Sequence, residues 1–125
     1  MTQRLPARLL TASATLLLLT ASVPADAAAP AELISAIKSI DKKGKGNRAA
    51  REAVAELSGS EPAVLLPLLA AFRNANPLAT NYLRSVVETI VDRSIAAKKK
   101  LPRKNLEGFI TDRKNDPQAR RLAFE

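Results

Sequence analysis

From residue 78 to residue 91 apolar pairs recur every four positions: Leu78-Ala79, Tyr82-Leu83, Val86-Val87 and Ile90-Val91. Polar pairs fill the gaps, Thr80-Asn81, Arg84-Ser85 and Glu88-Thr89, and Asp92-Arg93 follows the last apolar pair. A strand alternates its faces every second residue, so this spacing would scatter apolar groups over both sides of a sheet. Only a helix gathers them on one face. The pattern predicts a helix started at the Asn76-Pro77 break and ending near Ser94 to Ala97.

The same reading extends in both directions. Pro30 opens a first helix with Leu33, Ile34, Ile37 and Ile40 on one face, broken by Lys42-Lys43-Gly44-Lys45-Gly46. Asn47 is expected to cap a second, with the stripe Ala50, Ala53, Val54 and Leu57 and a stop at Gly59. Ser60 is expected to cap a third, running through Val64, Leu65, Leu66, Leu68, Leu69 and Phe72. Pro67 lies inside it and demands a kink or a late start. Pro102 opens a fifth with Leu106, Phe109 and Ile110 inward, and Asp116-Pro117 starts a sixth that reaches Glu125.

Shifting the chain against itself by 40 residues aligns its punctuation. Pro62 meets Pro102, Leu66 meets Leu106, Arg73 meets Arg113, Asn76-Pro77 meets Asp116-Pro117, and Ala79 meets Ala119. A two-helix unit of this length is the period of HEAT and armadillo arrays. Leu65-Leu66-Pro67-Leu68-Leu69, the Asn76-Pro77 break, then Leu78, Ala79, Leu83 and Val87 carry a resemblance to the HEAT-repeat family. Asp116-Pro117-Gln118-Ala119-Arg120 looks like the next break. The resemblance covers residues 60–125. More loosely, residues 31–125 resemble the N-terminal region of long exported bacterial proteins built on HEAT-like repeats, on Lys45-Gly46-Asn47 and Asn76-Pro77-Leu78-Ala79. It implies an all-α fold, a right-handed α-solenoid of antiparallel helix pairs over residues 28–125. A sixth helix this short, with Leu122 and Phe124 on an open edge, leads to the expectation of a domain truncated at its C-terminus.

Residues 1–27 read as a secretory signal peptide. Arg4 and Arg8 precede an apolar run from Leu9 to Val23, and Pro24 leads into the small-residue site Ala25-Asp26-Ala27. That order of charge, apolar run and small residues predicts cleavage after Ala27 and a secreted or periplasmic destination. The run is shorter than the ~20 residues of a membrane span, so no membrane attachment is expected after cleavage. With no cysteine, the apolar run is not followed by a lipid-attachment site. The exported domain must be held by packing alone, despite an oxidising destination.

The chemistry open to the chain is narrow. It has no His and no Cys, which removes the usual general base, thiol nucleophile and zinc ligands together. Ser35-Ala36-Ile37-Lys38 matches S-x-x-K, but neither S-D-N nor K-T-G follows. Residues 41–52 have the length of a calcium loop, with Lys43 and Lys45 where it needs anionic ligands. Gly44-Lys45-Gly46-Asn47 lacks the spacing of a phosphate-binding loop. No enzyme, cofactor or metal site is expected.

What remains is charge. The chain carries a formal +8, and loss of residues 1–27 removes Arg4, Arg8 and Asp26 and leaves it basic. Lys42, Lys43, Lys45 and Arg48 form one cluster; Lys98, Lys99, Lys100, Arg103 and Lys104 form another. If the helix pairs stack in register, such loops would line one edge and attract an anionic polymer. No aromatic residue interleaves the lysines, so bases have no stacking platform. The leading expectation is a non-enzymatic scaffold whose partner is a protein or further repeats of the same chain. The alternative is an extracytoplasmic polyanion-binding module.

Overall fold

The computed structural model describes residues 28–125, so the signal peptide and its cleavage after Ala27 lie outside the described residues. The described part is all-helical, with no strand. Its elements are α1 (Pro30–Lys38), α2 (Asn47–Leu57), a 3-10 turn (Pro62–Val64), α3 (Leu65–Ala70), α4 (Pro77–Ala96), α5 (Arg103–Thr111) and α6 (Pro117–Phe124).

The helices associate in pairs along the chain. α1 packs on α2, α3 on α4 and α5 on α6. The middle pair joins the other two: α4 lies against α1 and α2, and α3 lies against α5 and α6. α4 is the central element, with Ala79, Leu83, Val86, Val87, Ile90 and Ser94 buried on the face that its four-residue period anticipates. Ser94, the polar member, donates its hydroxyl to the Ile90 carbonyl at 2.6 Å, so its burial leaves no group unsatisfied.

α2 and α4 run parallel in a fixed register. Near their N-termini the Tyr82 hydroxyl donates to Asn47 Oδ1 at 3.2 Å. Near their C-termini the Arg93 guanidinium donates to the Ser58 carbonyl at 2.6 Å. Both bridges join residues 35 positions apart. Across the next pair, Arg84 reaches Glu125 over 41 positions. The 40-residue recurrence read from the sequence therefore fits the second and third pairs, and the first is more closely spaced.

The Asx-Pro starts work as the sequence indicates. Asn76 caps α4 by accepting the Ala79 amide at 2.8 Å, and Asp116 caps α6 by accepting the amides of Gln118 and Ala119. Ala79 and Ala119 are both completely buried.

Two expected caps are corrected. Asn47 is the first residue of α2 and not its cap; that position is held by Gly46, with φ of 76°. That left-handed φ, which residues with a side chain rarely adopt, is what the return onto α1 asks of this position. Ser60 caps nothing. The residue before the 3-10 turn is Glu61, and it makes no side-chain cap. Pro67 is the cause. A helix begun at Pro62 would need a Pro67 N–H in its interior and would put the ring against the carbonyl of Ala63. Residues 62–64 instead take the tighter 3-10 form and α3 starts at Leu65, so Pro67 falls in the first turn, where its missing N–H is of no account. α3 also stops at Ala70, two residues before Phe72.

The third pair is the least buried. α5 has no fully buried residue; Leu106, Phe109 and Ile110, expected to face inward, are half-covered. Gly108 sits in this helix, and a methyl group added there would meet nothing within 4 Å. Gly108→Ala should therefore stabilise the fold by about 0.5–1 kcal/mol, read as a rise in the urea midpoint at unchanged slope.

Candidate functional site

The two predicted basic clusters lie at opposite ends of α4. Lys42, Lys43 and Lys45 occupy the α1–α2 turn, with Arg48 in the first turn of α2. That turn adjoins the start of α4, where the Asn76 side-chain amide donates to the Ile40 carbonyl at 2.6 Å. Lys98, Lys99 and Lys100 follow the far end of α4, with Arg103 and Lys104 opening α5. A helix of 20 residues separates the two by roughly 30 Å, about four screening lengths at physiological ionic strength. Their charges do not sum.

They also differ in how far they are neutralised. In the second cluster Lys99 pairs with Glu61 at 2.8 Å and Arg103 with Glu107 at 3.6 Å. The Lys99 hydrogen bond, and then its charge, hold the Glu61 carboxyl below its ordinary pKa. In the first cluster only Arg48 is paired, with Glu52 at 3.1 Å. Lys42, Lys43 and Lys45 are exposed and make no ion pair among the described residues.

The first cluster has neighbours that sequence reasoning missed. Lys38 Nζ donates to the Arg73 carbonyl at 2.9 Å, and the Arg73 guanidinium donates to the Lys114 carbonyl. These bonds stitch together the turns of all three pairs: 39–46, 71–76 and 112–116. Lys38, Arg73, Arg113 and Lys114 thereby join Lys42, Lys43 and Lys45 on one edge. A signal was present in the sequence, since the 40-residue shift superposes Arg73 on Arg113 at the ends of matching helices.

The acids of this edge are turned to its own backbone. Asp41 Oδ1 accepts the amides of Lys43 and Lys45, both at 2.9 Å, and Asp112 Oδ1 accepts the amide of Lys114 at 3.0 Å. The pattern Asp-cation-Lys thus recurs as 41–43 and 112–114, each with the same carboxylate-to-amide bond closing the turn.

A concavity lies between the middle and third pairs. It has a volume of about 520 Å³ and is walled by Leu65, Leu69, Val87, Val91, Leu101 and Leu106. Ile95 lies beside it at 62% exposure and Phe124 at 78%. Glu88, Asp92 and Glu125 stand at its rim. Among the described residues no group of His, Cys, Asp and Glu is placed to hold a metal ion, and no helix is long and apolar enough to cross a membrane. Comparison of the chain with protein-family models, curated proteins and solved structures finds no match.

Proposed function

We propose that this chain is the helical-repeat part of an exported protein, led out by residues 1–27, and that it acts as a non-enzymatic scaffold. In this reading its pairs stack as a HEAT-like α-solenoid and bind a protein partner through a helix-lined face. The observation that supports it most is the parallel register of α2 and α4, bridged at both ends over the same 35 positions. Stacking of equivalent helices, each pair touching its neighbour, is how repeat arrays build a core. The apolar concavity beside Ile95 is the face such a partner would use, its acidic rim favouring a segment that carries both apolar and basic side chains.

A photo-crosslinking residue placed at Ile95 tests this in the exporting cell, with Arg51 on the exposed face of α2 as the control position. The expected result is one discrete protein adduct from position 95 and none from 51. Equal labelling from both, or none from either, overturns the reading.

A second reading, polyanion binding through the lysine loops, is favoured by one observation: Lys42, Lys43 and Lys45 stand exposed with no acidic partner among the described residues.

A further inference from the structure

We infer that the edge formed by the three intra-pair turns is a docking track for a linear acidic polysaccharide, gripped at one end by Lys42, Lys43 and Lys45 and at the other by Arg113 and Lys114. This deepens the polyanion reading and rests on it. It replaces the two separated lysine loops with a single surface that only the fold assembles.

The track follows from the bonds that hold the turns together. Lys38 to the Arg73 carbonyl and Arg73 to the Lys114 carbonyl place the turns side by side in the order first, second, third. Two interhelical spacings put the outer turns roughly 20 Å apart. Asp41 and Asp112 each commit a carboxylate oxygen to backbone amides, Asp116 caps α6, and none of the three makes an ion pair among the described residues, so no lysine or arginine head on the edge is held in a salt bridge. The repeated Asp-cation-Lys turn presents cations in the same local frame at both ends.

The chemistry of the edge selects among polyanions. Residues 41–46 and 112–116 contain no apolar side chain, and in the middle turn Ala71 and Phe72 are buried and only the Ala75 methyl is part-exposed, so the edge offers no large apolar group to a bilayer or a protein interface. Phe72 is buried in the core, and the Tyr82 hydroxyl is bonded to Asn47, so bases find no stacking surface. A chain of carboxylated or sulfated sugars needs neither. It needs cations and hydrogen-bond donors at intervals along an open track.

Fluorescent alginate, a linear polyuronate, is the probe, titrated into the purified full chain at low salt. The edge variant carries Lys43→Gln, Lys45→Gln, Arg113→Gln and Lys114→Gln. The matched variant, equal in charge, carries Lys98→Gln, Lys100→Gln, Arg103→Gln and Lys104→Gln. All eight side chains are exposed, and thermal melts verify that both variants stay folded. The edge variant should lose affinity by about tenfold or more, and binding to the parent should fade between roughly 50 and 200 mM salt. The matched variant should bind within about twofold of the parent, and monomeric glucuronate should not bind, because it cannot reach both ends. Equal loss in both variants overturns the track in favour of net charge alone. Loss confined to the matched variant overturns the track and leaves the lysine-loop reading standing. Absence of alginate binding overturns both. Tighter binding of poly(dT) or of phosphatidylglycerol vesicles than of alginate overturns the polysaccharide assignment.

Discussion

Leu83→Ala should lower the unfolding free energy by about 2–5 kcal/mol, a large part of the ~5–15 kcal/mol that holds a domain of this size. Leu83 is completely buried in the one helix that touches the first pair as well as its own partner. Truncation removes apolar transfer energy and leaves a cavity in the packed core. The core offers little compensation, being built from Leu, Ile, Val and Ala with Phe72 as its one buried aromatic. Leu78 is the internal control. It belongs to the same apolar stripe but is 37% exposed, and Leu78→Ala should cost less than about 1 kcal/mol. Urea unfolding followed by circular dichroism measures both. Equal effects at the two positions would mean that α4 does not sit in the fold as described.

Asn76→Ala should cost about 2–3 kcal/mol, more than a helix cap alone is worth. The side chain does two jobs. Its Oδ1 accepts the Ala79 amide and caps α4, and its Nδ2 donates to the Ile40 carbonyl at the end of the first pair. Alanine leaves both groups without a partner, in a part-buried site. Asn76→Asp separates the two jobs, since a carboxylate still caps the helix and no longer donates to Ile40. It also places a carboxylate oxygen against the Ile40 carbonyl, so Asn76→Asp should cost more than loss of the Ile40 bond alone. Asp116→Ala should cost only about 1 kcal/mol, because Asp116 caps α6 and bonds no other pair. The same unfolding assay ranks the three; a loss at Asp116 equal to that at Asn76 would refute the assignment of a second role to Asn76.

What can be read from the residues alone is whatever depends on near neighbours. The α4 period, the Asx-Pro helix starts and the late start at Pro67 are set within one or two turns of chain, and they appear where expected. The caps expected at Asn47 and Ser60 fail for reasons that are local but subtler. A left-handed Gly46 takes the place of a capping side chain, and the 3-10 turn displaces the start of α3. The basic edge is hidden for a different reason. Lys38, Arg73 and Lys114 are 35 and 41 positions apart, and only the stacking of the pairs makes them neighbours. Clusters counted along the chain emphasise Lys98 to Lys104 instead, where Glu61, 38 positions from Lys99, and Glu107, one helical turn from Arg103, neutralise part of the charge.

The half-covered α5 has a consequence for how the fold comes apart. The free-energy cost of a local opening rises with the apolar surface that the opening exposes, and α5 has little to expose. The third pair is thus expected to open before α1 to α4 do. Arg113 and Lys114 ride on that unit, whereas Lys42, Lys43 and Lys45 belong to the firmer one. A ligand lying across both would act as a clamp. It would lend the third pair the rigidity that its own side chains do not provide.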